Sequence, residues 1–214
     1  MKRILLGALG LLALCTAALA QVNTVPQVGL GTGYVPKATY SSAFFGLVPV
    51  VTIGTDQICI TGSANKIIRL QRITIYGTTT TGAQVVPLNL VRRASADTGG
   101  TPATTTANPG VTTQINRRDT GVAGAATATL VSYTAAPTIV DAAPTYIDSQ
   151  LLAMPLGLVS TQPPGLVDFY FGRDLENNLA APTLRGAANQ ICVNNGTALT
   201  NASVWNGSIV WTEE

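Results

Sequence analysis

An antiparallel β-sandwich of jelly-roll or Greek-key type is the fold this sequence predicts, and three observations predict it. Strand-favouring residues dominate, with Thr very common and Val and Ile frequent. Gly and Pro, at 21 and 12 of 214 positions, punctuate every stretch. Helical periodicity is nearly absent, and no crossover helices are found for a parallel β/α architecture.

Residues 1–20 read as an export signal. Lys2 and Arg3 form a basic start, Ile4 to Leu14 is a short apolar run, and Ala18-Leu19-Ala20 offers small residues for cleavage before Gln21. The run is too short for a comfortable membrane span. Leu14 stands where acylation of Cys15 wants a small residue, so Cys15 leaves with the leader. Removing Lys2 and Arg3 leaves ten basic against ten acidic residues. Nothing then steers the chain toward nucleic acid or an anionic membrane.

Residues 21–46 read as an irregular arm rich in Gly, Pro and Thr, and residues 47–214 as one sandwich domain. Within it the first strand is expected at Leu47–Ile53 and the next at Gln57–Thr61, before a turn at Gly62-Ser63-Ala64-Asn65. Lys66–Tyr76 reads as a long strand. Its apolar positions shift phase between Leu70 and Ile73, which a β-bulge at Gln71-Arg72 reconciles. Gly77–Gly82 reads as a hairpin loop. Val86, Leu88 and Leu90 alternate as in a half-buried strand, and Pro87 marks it as an edge or bulged strand. Ala94–Val111 is a long surface excursion. Strands follow at Thr127–Tyr133, Ile139-Val140, Tyr146–Leu152 and Leu166–Phe171, the last after a break at Pro163-Pro164-Gly165. Leu184, Ile191 and Val193 mark a further pair. Val204–Thr212 closes the chain with Trp205, Ile209 and Trp211 on one face.

Cys59 and Cys192 remain after the leader, in the twin contexts Gln57-Ile58-Cys59-Ile60 and Gln190-Ile191-Cys192-Val193. In an oxidising compartment they form a disulfide candidate whose loop closure is worth roughly 4–5 kcal/mol in the chain-entropy model. The other reading is two buried thiols on strands that never meet.

The absence of His excludes His-based triads, His general bases and His-rich metal sites. No catalytic, cofactor-binding or metal-binding site is expected, and each motif has a plainer reading. Asp97-Thr98-Gly99 and Asp119-Thr120-Gly121 share the aspartic-protease triplet but follow no buried strand, and Asp before Gly is turn chemistry. Gly29-Leu30-Gly31-Thr32-Gly33 has no strand before it and no helix after it, so it is no phosphate loop. Asp174, Glu176, Asn177 and Asn178 offer oxygen ligands without EF-hand spacing and read as a solvated turn. Arg92-Arg93 and Arg117-Arg118 read as a solvated face, or as inter-subunit partners of Asp97, Asp119 or Asp141. Asn195, Asn201 and Asn206 begin formal glycosylation sequons that turns also produce. A glycosidase would need Asp168 with Asp174 or Glu176. Trp205, Trp211 and Tyr146 are the candidate ligand-contact aromatics for a carbohydrate-binding reading, although on an alternating terminal strand the two tryptophans more often serve as core or subunit contact.

Several segments are similar to a loose group of uncharacterised bacterial and phage-associated β-proteins. They are Thr61-Gly62-Ser63-Ala64 leading to Arg69 and Arg72, Val91 to Thr101, Tyr133 to Thr138, Leu184 to Ala188, and the ending Val210-Trp211-Thr212-Glu213-Glu214. The resemblance implies a virion or surface structural component and carries over no catalytic residue. The leader favours a secreted, periplasmic or cell-surface place over the virion. The expected protein is a non-enzymatic, exported structural module that assembles with copies of itself or another structural partner. A glycan-binding, adhesive sandwich is the alternative.

Overall fold

The computed structural model describes residues 38–99, 114–118, 126–157, 164–171 and 181–214. The leader, residues 21–37 of the arm, the Gly29–Gly33 loop, Asp119-Thr120-Gly121 and the Asp174–Asn178 cluster lie outside the described residues.

Eleven strands make up the described residues: β1 (Ala38–Leu47), β2 (Asp56–Thr61), β3 (Ile67–Thr79), β4 (Gln84–Arg93), β5 (Gln114–Arg117), β6 (Thr129–Ser132), β7 (Thr145–Met154), β8 (Leu166–Tyr170), β9 (Thr183–Arg185), β10 (Gln190–Asn195) and β11 (Ser203–Glu213). One sheet runs β5-β1-β11-β3-β8, with β9 also on β3; the other runs β6-β2-β10-β4-β7. Every ladder between strands is antiparallel. Without β5, β6 and β9, eight strands remain. The first, eighth, third and sixth form one sheet, and the second, seventh, fourth and fifth form the other. That order is a jelly roll.

The core lies between the sheets. Trp205, Trp211, Phe44 and Phe169 are its largest fully buried side chains, with Ile58, Ile60, Ile73, Leu88 and Leu90 among those filling the rest. Burying each such side chain stabilises the fold by about 1.5–3 kcal/mol. Gly207 fits this packing because a Cβ there would meet Thr74 O at 2.1 Å and the Phe44 ring at 2.6 Å.

The predicted bulge is present: opposite β11, the register passes from Arg72 to Leu70 across Val210 and Trp211, leaving Gln71 unpaired. It serves a purpose in the sheet. β8 pairs with Arg72–Tyr76 and β9 with Ile67–Arg69, so one strand hands over to the other at the bulge.

Five expectations need correction. Gly77–Gly82 is no hairpin loop: β3 runs on to Thr79, and β4 lies in the other sheet. The irregular arm does not extend to residue 46. β1 begins at Ala38, its buried face built from Ala38, Tyr40, Ser42 and Phe44 between β11 and β5. Residues 48–53 form no strand; Pro49 lacks a donor, and side chains hold the backbone instead. Gln57 pairs with Val50 N and O at 2.7 and 2.9 Å, and Asn195 Nδ2 donates to Thr52 O at 2.8 Å. Ile139-Val140 is no strand either; only the bridge Thr98↔Thr138 forms there. Pro87 sits in an internal strand, between β10 and β7. The β10 ladder ends at Leu88, and Pro87 O accepts from Gly196 N at 2.8 Å on that same side. The missing Pro N–H therefore falls at the end of that ladder, where it removes only the return bond of the last pair.

Candidate functional site

Cys59 and Cys192 face each other across β2 and β10 and form a disulfide, Cα–Cα 4.1 Å. It joins neighbouring strands of one sheet and does not bridge the two. Ile58, Ile60, Ile191 and Val193 point into the main core, so the alternating cysteines lie on the sheet's outer face. There they pack with Val91 and Tyr133 as a second small core. A buried disulfide of this kind fits an oxidising environment.

A buried ionic cluster lies beside it. Arg93 grips Asp56 with two hydrogen bonds, Nε to Oδ2 at 2.5 Å and Nη2 to Oδ1 at 2.9 Å, and both side chains are almost wholly buried. Asn194 Nδ2 adds a third bond to Asp56 Oδ1 at 2.7 Å. Arg93 Nη1 reaches Asp141 O, and the Asp141 carboxylate accepts from Ala94 N and Ala143 N, which hold its own pKa down. Asp97 completes the group. Gln190 Oε1 accepts its backbone N–H at 3.1 Å, which brings the carboxyl inward. That side chain has no exposed surface, lies 4.0 Å from Arg93 Nε, and neither oxygen has a hydrogen-bond partner of normal geometry.

One guanidinium thus faces two buried carboxylates. Burial pushes the Asp97 carboxyl up to about 7, and the neighbouring Asp56 carboxylate pushes the same way, against the pull of Arg93 and of the Val140 backbone. Burial, with the Asp97 charge, raises the Tyr133 phenol to about 12. A proton on Asp97 turns two repelling acceptors into a donor–acceptor pair.

Ligand atoms of Asp56, Cys59, Asp97 and Cys192 lie within 4.8 Å of one another. The sulfurs are bonded to each other, so two carboxylates remain, and Arg93 already occupies one. That set does not suit a hard cation, which wants six to eight oxygens. Nor does the pair resemble a working carboxylate dyad, since both side chains are sealed from solvent and a hydrolytic dyad needs a water.

A third buried acid is Glu213. Its oxygens accept from Thr127 N, Thr127 Oγ1, Ala128 N and Trp211 Nε1, all at 2.7–3.1 Å. Glu213 ends β11 in one sheet, while Thr127 and Ala128 lead into β6 in the other, so one carboxylate ties the sheets together.

The structure separates the sequence-predicted residues. Trp205 and Trp211 have no exposed surface and cannot stack on a sugar; their shared face is the core face. Tyr146 is 66% exposed and lines a hollow of about 310 Å³ with Arg93, Asn194, Pro144 and Gly54. Asp168 is held by Arg72 at 2.7 and 2.9 Å. The Arg92-Arg93 pair is not a solvated face: Arg92 is exposed, whereas Arg93 is buried on Asp56 of its own chain. Asp56 and Glu213 escaped sequence reasoning. Asp56 stands 37 positions from Arg93, and no local pattern links them.

No family model, curated protein or solved structure matches this chain.

Proposed function

We propose that this protein is a non-enzymatic, exported structural or surface-presented module that works as an assembly of copies, as in the bacterial and phage-associated β-proteins it resembles. The supporting observation is where its buried polar groups are committed. Glu213, the Arg93–Asp56 pair, Gln57 and Asn195 each tie a strand to another strand or a loop. Such groups fix a frame. Jelly rolls build capsids and lectins alike, so the fold by itself does not choose between them. Export accounts for the disulfide, which closes a separation of 133 residues. Light scattering on the chromatographed protein tests the assembly: one oligomer, unchanged over a hundredfold dilution, is expected, and a monomer throughout overturns it.

The exposed Tyr146 favours a second reading, a glycan-binding sandwich. It lines the Arg93–Asn194 hollow and offers an aromatic ring there to a sugar. Binding of neutral oligosaccharides that Tyr146→Ala abolishes would establish this reading, and no binding by the intact protein would remove it.

A further inference from the structure

Three arginines among the described residues have a carboxylate partner: Arg69 with Glu214, Arg72 with Asp168, and Arg93 with Asp56. Arg92 and Arg185 have none there. They come from different sheets, Arg92 near the end of β4 and Arg185 at the end of β9. Both line one hollow of about 300 Å³, with Thr183 and Asn189, and among the described residues no acidic side chain joins that lining.

The lining is a donor set. Each guanidinium carries five N–H groups in a planar fork that matches an oxyanion's paired oxygens. Asn189 Nδ2 donates to Arg185 O, which steadies the Arg185 backbone and leaves a second amide hydrogen. The Thr183 hydroxyl donates to Ala181 O at 2.9 Å and accepts from Arg69 Nη1 at 3.3 Å, so it shapes the wall and donates nothing to a ligand. Two like charges in one hollow repel each other, and an anion between them removes that cost. Exposed salt bridges elsewhere need no ligand; here the described residues supply two cations and no counter-charge.

We propose that the hollow between Arg92 and Arg185 binds a tetrahedral oxyanion, a phosphate or sulfate group, either as the free ion or as an ester on a larger molecule. The site is independent of the structural role argued above and of the Tyr146 hollow. It differs from general anion attraction, since the chain's basic and acidic residues nearly balance.

Amide NMR titration of the full chain with inorganic phosphate, and separately with inorganic sulfate, tests it against chloride at constant ionic strength. Saturable shifts confined to residues near Arg92, Thr183, Arg185 and Asn189 are expected. Arg92→Gln and Arg185→Gln, both at exposed positions, should each weaken binding at least tenfold while thermal unfolding stays unchanged. A sulfated oligosaccharide forms the third arm. Tighter binding than free sulfate at the same amides identifies an ester ligand, and equal or weaker binding identifies the free ion. Shifts that never saturate, or that both variants retain at full strength, overturn the proposal.

Discussion

Glu213 and Asp97 are both buried acids next to a sheet, and the protein treats them in opposite ways. Glu213 receives four hydrogen bonds from neutral donors, two of them backbone N–H groups at the approach to β6. Asp97 receives none of normal geometry and faces a second carboxylate that has already claimed the nearby guanidinium. The first site surrounds a buried acid with fixed donors; the second is compatible with burial when it holds a proton. A carboxylate's burial thus says little about its role until its donors are counted.

The sharpest way to break this contrast is Glu213→Ala. It orphans four donors and unties the two sheets, and we expect a loss of about 5 kcal/mol or failure to fold. Denaturant unfolding measures it, and a loss below about 2 kcal/mol would mean that water replaces the carboxylate. Replacing Cys59 and Cys192 by Ala should cost about 4 kcal/mol by loop-closure entropy, and it removes the floor on which the Asp97 cluster rests. Equal stability of reduced and oxidised protein would contradict this.

Asp97→Asn should act in the other direction. Below about pH 4 the acid is protonated whether folded or unfolded. Between that pH and about 7 the folded state alone holds the proton, so wild-type stability falls as pH rises through this window and levels off above it. The introduced amide has no such proton to lose and can donate to Asp56. The variant should match wild type near pH 5 and exceed it by about 3 kcal/mol at pH 8 in thermal or denaturant unfolding. The smallest effect belongs to Arg72→Ala. Its pair with Asp168 is more than one-third solvent-exposed on the arginine side, and the loss should stay below about 1 kcal/mol.

Much of the frame was legible in the sequence, because side-chain period reports the face a strand buries. The phase shift after Leu70 gave the bulge at Gln71, and the alternation of Trp205, Ile209 and Trp211 gave their common face. Which side of the sheet that face meets is not encoded in the period, so core, subunit contact and sugar platform all stayed open for the tryptophans until their burial placed them in the core. β1 was hidden because its buried positions include Ala38 and Ser42, too small to register as a hydrophobic stripe. The twin Gln-Ile-Cys contexts marked two similar strands, and only the register of β2 against β10 made them partners. The ionic cluster was least legible. Asp56, Arg93, Asp97 and Asn194 meet through strand order and loop path, which no spacing along the chain records.

The account rests on buried acids that hold the frame together, and the proton on Asp97 is its most exposed point. Carbon-detected NMR titration of the Asp97 carboxyl group in the native protein reads that proton directly. We predict a midpoint near pH 7, with the Tyr133 environment responding in the same step. A midpoint near 4, the value of a solvated aspartate, would contradict it and return the Asp56–Asp97 pair to the status of an open, hydrated site.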